Sequence, residues 1–160
     1  MPIKIAFFDC DGTLTKVKSS WEYLHKRLDL WDNNADDYQR LFREGKIDYH
    51  EFCRRDALLW RGLPVSRVVE AVNEIPYHTG AREAVNALQR LGMYTVIVST
   101  GLSFLVDKVG RDLNMHATYS NKLLEANGCL TGGISVDVEY DRKGEAIKEV
   151  LEGLGIRKDE

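Results

Sequence analysis

Two aspartates, Asp9 and Asp11, end an apolar run and lead directly into a Gly-Thr turn, in the sequence Phe-Phe-Asp-Cys-Asp-Gly-Thr-Leu-Thr over residues 7–15. In an extended strand, residues i and i+2 project to the same side, so both carboxylates are expected to face one pocket and Cys10 to point away. A carboxylate that attacks a phosphomonoester needs a divalent cation to neutralise charge and an acid to protonate the departing oxygen. The spacing therefore predicts Asp9 as nucleophile and Asp11 as acid, although aspartate and glycine also form plain polar turns.

Two later segments carry groups that bind anions. The β-branched run over 94–99 ends in Ser99-Thr100-Gly101, and a helical pattern begins near Leu102. A hydroxyl and free amides at such a junction form an anion site. Lys143 opens an amphipathic helix and can place its ammonium over a phosphoryl oxygen. Each segment has an alternative role as a helix cap or a solvated lysine. Their position beside strand ends and helix starts favours the functional interpretation, because open α/β sheets bind ligands there.

The order of elements predicts an α/β fold. Residues 3–9 form a first strand, and about 60 residues of helical pattern then precede a β/α alternation. We expect a doubly wound parallel, Rossmann-like sheet with a helical cap inserted after the first strand. The core domain would comprise residues 1–15 and 77–160, and the cap domain residues 16–76. Helices are predicted near 19–30, 34–44, 48–61 and 65–74, and a hairpin over 121–136 is predicted to turn at Asn127-Gly128.

Composition excludes several classes of protein. The chain has 160 residues, is 44% hydrophobic and can bury one core with a small insert. Its net charge of −3 argues against nucleic acid as a partner. The sequence contains no long uncharged apolar run, so we expect neither a membrane span nor a signal peptide. Three cysteines without metal-ligand spacing favour a reducing cytoplasm. We interpret none of the four histidines as a ligand. The aromatic residues of the cap could line a pocket, but packing in the cap core is favoured for most of them; they are Trp21, Tyr23, Trp31, Tyr38, Phe42, Phe52 and Trp60.

The sequence resembles the haloacid dehalogenase superfamily and, within it, the phosphoserine phosphatase-like branch. The resemblance covers nearly the whole chain. It rests on Asp9-x-Asp11-Gly-Thr-Leu, Val98-Ser99-Thr100-Gly101, Lys143-Gly144, Glu44-Gly45-Lys46-Ile47, and Asn121-Lys-Leu with Leu130-Thr131-Gly132.

The resemblance implies a Mg2+-dependent phosphomonoester hydrolase that acts on a small phosphorylated metabolite. Asp9 would form an aspartyl-phosphate, and Asp11 would act as general acid and then as base for the hydrolytic water. Ser99 and Lys143 would hold the phosphoryl group, with Thr100 and Gly101 beside them. Mg2+ would be bound by Asp9 and by the main-chain carbonyl of Asp11. Two alternatives stay open, a phosphotransferase that passes the phosphoryl group to an alcohol and a non-catalytic phospholigand-binding or regulatory protein.

One element of the family pattern is missing. The family has a further strand ending in Gly-Asp-x-x-x-Asp that completes the Mg2+ site, whereas this sequence ends at Glu160, and neither Asp159 nor Glu160 is a credible substitute. We therefore expect C-terminal strands to be absent, Mg2+ binding to be weakened, and the chain to be a fragment of a longer protein. Without its neighbour, the strand over 3–8 would be an apolar edge open to self-association.

Substrate specificity is expected to differ from that of the family. In phosphoserine phosphatases, a cap glutamate and a cap arginine are thought to bind the ammonium and carboxylate of serine. The corresponding positions are Lys18 and Asp56, so both charges are reversed. A small register shift would instead bring Glu22 with Arg54 or Arg55 into these roles. A further alternative is that Lys18 and Asp56 are ordinary solvated charges.

Overall fold

The structure is a computed structural model and describes residues 3–157. Strands and helices follow one another in the order β1 (Ile5–Phe8), α1 (Ser20–Arg27), α2 (Asn33–Arg43), α3 (Tyr49–Leu58), α4 (Val65–Asn73), α5 (Ala81–Arg90), β2 (Tyr94–Leu102), α6 (Ser103–Asp112), β3 (Ala117–Ala126), β4 (Cys129–Ser135) and α7 (Lys143–Leu154). The predicted limits at residues 1 and 160, and with them Asp159 and Glu160, lie outside the described residues. No helix within 3–157 has the length and apolarity needed to cross a membrane.

The strands form one sheet in the order β1-β2-β3-β4. The first three are parallel, with Ile5 opposite Tyr94 and Val96 opposite Ala117, and β4 runs antiparallel to β3. The β3–β4 hairpin turns at Asn127 and Gly128, whose positive φ angles of 52° and 76° suit a tight hairpin turn, as predicted. In the described part of the chain, β1 is an edge strand.

Both faces of the sheet are covered because β2 alternates its apolar side chains between them. Ile97 lies in one core together with Val85 of α5 and Leu105 of α6. Val96 and Val98 pack into a second core with Val150 of α7. The predicted doubly wound, Rossmann-like α/β fold is therefore confirmed.

Helices α1 to α4 fill the interval between β1 and α5, as the helical pattern predicts. Ser19, Asp32 and Asp48 each cap a helix start by accepting a main-chain hydrogen bond from that helix. The chain enters and leaves this helical segment through paired antiparallel stretches, because Lys16 N donates to Pro76 O and His78 N donates to Leu14 O, both at 2.9 Å. The division into a core domain and a cap domain stays a prediction.

Candidate active site

The carboxyl end of β1 delivers the two aspartates. Asp9 follows directly after β1, and both Asp9 and Asp11 line a cavity of about 310 Å3 between the sheet and the helical segment. Cys10 is fully buried in the core below them. Burial raises the pKa of the Cys10 thiol, so it is a poor nucleophile. The alternation expected for an extended strand thus separates two carboxylates that face the cavity from one thiol that does not.

A tight turn after β1 fixes the second carboxylate. The carbonyl of Cys10 accepts hydrogen bonds from the main-chain N–H groups of Thr13, Leu14 and Thr15. Gly12 adopts a φ of +72° and donates to Val17 O at 2.7 Å. This left-handed conformation suits glycine, which has no Cβ to clash with the main chain.

Asp11 is held by the first turn of α1. Its Oδ2 accepts hydrogen bonds from Ser20 N at 2.6 Å and from Ser20 Oγ at 2.7 Å. Its Oδ1 is buried and has no hydrogen-bond partner among the residues the structure describes. Burial raises the pKa of Asp11, and the hydrogen bonds from Ser20 oppose that rise. A carboxyl group with a raised pKa and an uncommitted oxygen can carry a proton for transfer.

Asp9 forms an ion pair with a lysine, Lys143. Lys143, the first residue of α7, places Nζ 2.9 Å from Asp9 Oδ1. The N–H of Cys10 donates to the same oxygen at 2.8 Å. Both side chains of the ion pair are partly exposed, so a ligand in the cavity can reach them. The arrangement places a carboxylate and an ammonium group at one point, the two charged groups that phosphoryl transfer to an aspartate would require.

The segment from Ser99 to Gly101 lies beside the two aspartates. The sequence predicts a strand ending at Ser99, but β2 continues to Leu102 and its pairing with β3 shifts register after Val98. Ser99 Oγ is buried and accepts a hydrogen bond from Gly101 N at 3.0 Å. The main chain therefore bends within the strand rather than after it, and it brings the Ser99 hydroxyl to the cavity.

Gly101 has no room for a side chain. A Cβ at this position would lie 2.9 Å from Ser20 Oγ, 3.1 Å from Ser99 Oγ and 3.2 Å from Asp11 Oδ2. We expect Gly101→Ala to lower kcat/KM for a phosphomonoester by roughly a hundredfold, because misplacement of catalytic groups by about 1 Å can cost that much. The matched control is Gly144→Ala, where a Cβ meets nothing within 4 Å. Equal activity of the two variants in a steady-state assay would contradict the close approach at Gly101.

A buried asparagine connects this segment to the rest of the site. The carbonyl of Thr100 accepts hydrogen bonds from Trp21 Nε1, the Tyr49 hydroxyl and Asn121 Nδ2, at 3.3, 3.4 and 3.1 Å. Asn121 also donates to Val138 O and accepts from Val138 N. It thereby links β2, the helical segment and the chain leading into α7. Sequence reasoning placed Asn121 only within the family resemblance and gave it no positional role.

Aromatic rings form much of the cavity wall. The rings lining it are Trp21, Trp31, Phe42, Tyr49, Phe52 and Tyr140. The prediction that most cap aromatic residues pack in the cap core was wrong for Trp31, Phe42 and Phe52, which line the cavity. Trp60 is fully buried in the core, and Trp21 both lines the cavity and packs against that core. Helical periodicity identifies an apolar face but does not show whether that face meets a core or an open cavity.

The specificity candidates divide into two groups. Lys18, Glu22 and Asp56 line the cavity. Arg54 and Arg55 instead form ion pairs with Glu51, with shortest distances of 2.8 and 2.6 Å, and they lower the pKa of Glu51 to about 2. The structure thus brings only the first three to the cavity.

A further arginine in the lining, Arg43, was not predicted. It lies in the last turn of α2. The sequence gave no signal for it, because a lysine or arginine near a helix C-terminus is common on solvated surfaces.

Asp56 is not an ordinary solvated charge, since its exposed fraction is 5%. Its Oδ1 lies 3.3 Å from Nε2 of His25, a buried histidine that also lines the cavity. Burial, with the nearby charge of Asp32 adding to it, raises the pKa of Asp56 to about 7. Lys18 lines the same cavity but is exposed to solvent. Sequence reasoning assigned no role to His25, because the contact with Asp56 joins α1 to α3 across 31 positions of the chain.

The shifted pKa of Asp56 predicts a pH dependence of stability. A carboxyl group with a pKa higher in the folded than in the unfolded protein stabilises the fold below its ordinary pKa near 3.8, and this contribution is lost as pH rises through about 7. We expect Asp56→Asn to remove this loss, so that the Tm of the variant rises relative to that of the unchanged protein between pH 5 and pH 8. Each unit of difference between the folded and unfolded pKa values corresponds to about 1.4 kcal/mol of stability. Thermal melts across this range test it, and parallel pH profiles would contradict the assignment.

Oxygen ligands for a metal are limited. Within residues 3–157, no three His, Cys, Asp or Glu side chains cluster as a metal site. The Asp9 carboxylate lines the cavity, and the family resemblance adds the main-chain carbonyl of Asp11 as a second oxygen donor. Mg2+ prefers oxygen ligands and is usually bound by one or two carboxylates, so the type of donor fits Mg2+, and the small number of carboxylates agrees with the expected weak binding.

Comparison with known proteins gives the family. A family model described as haloacid dehalogenase-like hydrolase matches residues 6–160. A phosphoserine phosphatase of Methanocaldococcus jannaschii is 26% identical over 156 residues, which cover 96% of this chain and 73% of that protein. A phosphoserine phosphatase of Idiomarina loihiensis is 30% identical over 144 residues, which cover 89% of this chain but only 64% of that protein.

Solved structures share the fold. A phosphoserine phosphatase described as a phospho-aspartyl intermediate analogue superposes with a TM-score of 0.81 at 24% identity, covering 98% of this chain and 75% of that one. A haloacid dehalogenase family hydrolase from Salmonella enterica serovar Typhi superposes with a TM-score of 0.86 at 18% identity, covering 98% of this chain and 54% of that one. Because the family model matches residues 6–160, nearly the whole of this chain, the chain belongs to the haloacid dehalogenase-like hydrolases.

Proposed function

We propose that the protein hydrolyses a small phosphomonoester through a phosphoryl group carried on Asp9. The observation that supports this most directly is the convergence of Asp9, Asp11 and Ser99 on one cavity, with Lys143 Nζ 2.9 Å from Asp9 Oδ1. A nucleophile, an acid, a hydroxyl donor and a cation around one centre are the groups that phosphoryl transfer needs. The family membership and the names of the relatives agree with this chemistry.

In the first step, Asp9 attacks phosphorus and the bond from phosphorus to the alcohol oxygen breaks. Asp11 gives its proton to that oxygen, so the alcohol leaves neutral. Lys143 and the Ser99 hydroxyl stabilise the negative charge on the non-bridging oxygens. In the second step, Asp11 takes a proton from water, the water attacks phosphorus, and Asp9 is released with inorganic phosphate. The raised pKa of Asp11 suits both directions of this proton transfer.

Mg2+ is part of the proposal. The Asp9 carboxylate and the main-chain carbonyl of Asp11 would hold it, and the bound ion would supply positive charge against the phosphoryl oxygens. The helical segment would act as the cap that excludes water while the alcohol leaves. We also propose a cytoplasmic location, since all three cysteines are free thiols.

Phosphate release with and without metal tests the function. Purified protein with Mg2+ and glycerol 2-phosphate is expected to release equal amounts of glycerol and inorganic phosphate. EDTA should abolish the release, and added Mg2+ should restore it. Binding of phosphomonoesters without any release of phosphate would contradict hydrolysis and favour a phospholigand-binding protein.

A further inference from the structure

A second group of cavity residues is not needed for the phosphoryl chemistry. Asp56 on α3 and His25 on α1 both line the cavity and are both nearly inaccessible to solvent. Buried polar side chains in a cavity wall are costly unless they find partners, and they commonly orient a ligand. Their protonation states decide what kind of ligand they can bind.

The hydrogen bonds of His25 define its state. Nδ1 lies 2.8 Å from the carbonyl of Trp21, which can only accept, so Nδ1 carries the hydrogen. Trp60 Nε1 can only donate, and it donates to Nε2 at 3.0 Å, so Nε2 carries none. The imidazole is therefore neutral. Burial acts in the same direction, because it lowers the pKa of His25 to about 4.

Asp56 consequently has no cationic partner in His25. The 3.3 Å contact between Asp56 Oδ1 and His25 Nε2 is not an ion pair. A buried carboxyl group beside a neutral imidazole is favoured in its protonated form, and the raised pKa of Asp56 agrees. Such a group both donates and accepts hydrogen bonds. It offers an uncharged polar contact rather than a counter-ion.

The surrounding wall is flat and aromatic. Phe42 and Phe52 stack with ring centroids 5.1 Å apart, and Tyr140 meets Phe42 edge-on at 5.6 Å. Trp21 stacks with the His25 ring at 6.2 Å. These rings come from α1, α2, α3 and the chain before α7, so they approach the cavity from several sides. Stacked and edge-on aromatic walls favour a planar ligand.

The charges in the wall do not suit a free amino acid. Glu22 is the carboxylate that could bind an ammonium, but it already pairs with Lys26 at 2.6 Å. Lys18 would repel an ammonium. Arg43 supplies a cation in the lining, but the carboxylate of Glu22 is paired with Lys26 and the neutral form of Asp56 supplies no charge, so Arg43 lacks the partnered anion that a zwitterion needs.

We propose that the cavity takes phosphomonoesters whose alcohol carries a planar, uncharged ring with a hydrogen-bonding group on its edge, which Asp56 recognises. This proposal rests on the proposed phosphatase function of the Asp9 centre. The ring lies against the aromatic wall, and its polar edge exchanges hydrogen bonds with the Asp56 carboxyl. A cavity of about 310 Å3 is large enough for a small ligand of this kind.

The test compares ring-bearing and acyclic esters in three proteins. Uridine 5′-monophosphate and 3-hydroxybenzyl phosphate are the ring-bearing probes, and phosphoserine and glycerol 2-phosphate are the acyclic ones. We expect kcat/KM for at least one ring-bearing ester to exceed that for phosphoserine about tenfold or more. Asp56→Leu should lower that value about tenfold, the effect of losing one hydrogen bond, and should leave glycerol 2-phosphate within about twofold. Asp56→Asn, which keeps a donor and an acceptor, should retain most of the activity.

Controls separate this proposal from the function on which it rests. Asp37→Leu makes the same change at an exposed site on α2 and should alter no substrate preference. A preference for phosphoserine, or an equal loss for all esters in Asp56→Leu, would overturn the proposal. If no ester is hydrolysed, the proposed function fails, and calorimetric binding of uridine 5′-monophosphate then decides. Binding weakened about tenfold by Asp56→Leu supports the ring subsite, and no binding or unchanged binding overturns it.

Discussion

Asp9→Asn is expected to lower turnover of a phosphomonoester by at least about a thousandfold while the fold is retained. An amide does not attack phosphorus at a useful rate, so no covalent step can begin. The amide oxygen can still accept the hydrogen bond from Cys10 N that Asp9 Oδ1 accepts at 2.8 Å. Because the Asp9 side chain is partly exposed, we expect Tm to change little. Steady-state phosphate release and a thermal melt of the same sample measure both effects.

The matched control for Asp9 is Asp137→Asn. Asp137 is an exposed aspartate whose Oδ1 accepts from Ser135 Oγ, and it lies outside the cavity lining. This variant should keep nearly full activity. Turnover of Asp9→Asn within about tenfold of the unchanged protein would remove Asp9 as the nucleophile.

Asp11→Asn is expected to lower turnover of an alkyl phosphate by about a hundredfold to ten-thousandfold, the range for loss of a general acid. The asparagine oxygen can accept both hydrogen bonds from Ser20, so α1 keeps its contact with the turn after β1. The effect should be much smaller in the first step with 4-nitrophenyl phosphate, whose leaving group departs without a proton. Rapid-mixing measurements of nitrophenol release separate this step from the hydrolysis that follows.

An equal loss with both leaving groups in that first step would argue against Asp11 as the acid. Ser20→Ala is the companion variant. It removes one of the two hydrogen bonds to Asp11 Oδ2 and leaves the carboxyl group itself in place. We expect a loss well below that of Asp11→Asn, since the proton donor is still present.

The groups placed by local sequence were the easiest to predict. Asp9 and Asp11 follow an apolar strand, and Lys143 begins a helix, so their neighbours in sequence determine where they lie. The turn at Asn127-Gly128 is determined in the same way, by residues that tolerate positive φ. Short-range patterns therefore predicted which of these side chains lie together at the proposed phosphoryl centre and the order of the elements that carry them.

The groups that depend on packing between distant segments were missed. His25 and Asp56 lie on different helices, and nothing in either helix shows that the two side chains will be buried side by side. Asn121 is similar, because its five polar contacts join parts of the chain that no local pattern connects. Substrate recognition is built from such contacts, which explains why the phosphoryl chemistry is easier to predict than the leaving group.

The most direct test of the account is the chemical identity of the phosphorylated residue. The protein is mixed with a phosphomonoester and Mg2+, quenched in acid, reduced with borohydride and digested, and the peptide containing Asp9 is analysed by mass spectrometry. Reduction converts an acyl phosphate on aspartate to homoserine, so the account predicts homoserine at position 9 and unmodified aspartate at position 11. Homoserine at another aspartate, or phosphate release without any modified Asp9 in a rapidly quenched sample, would contradict it.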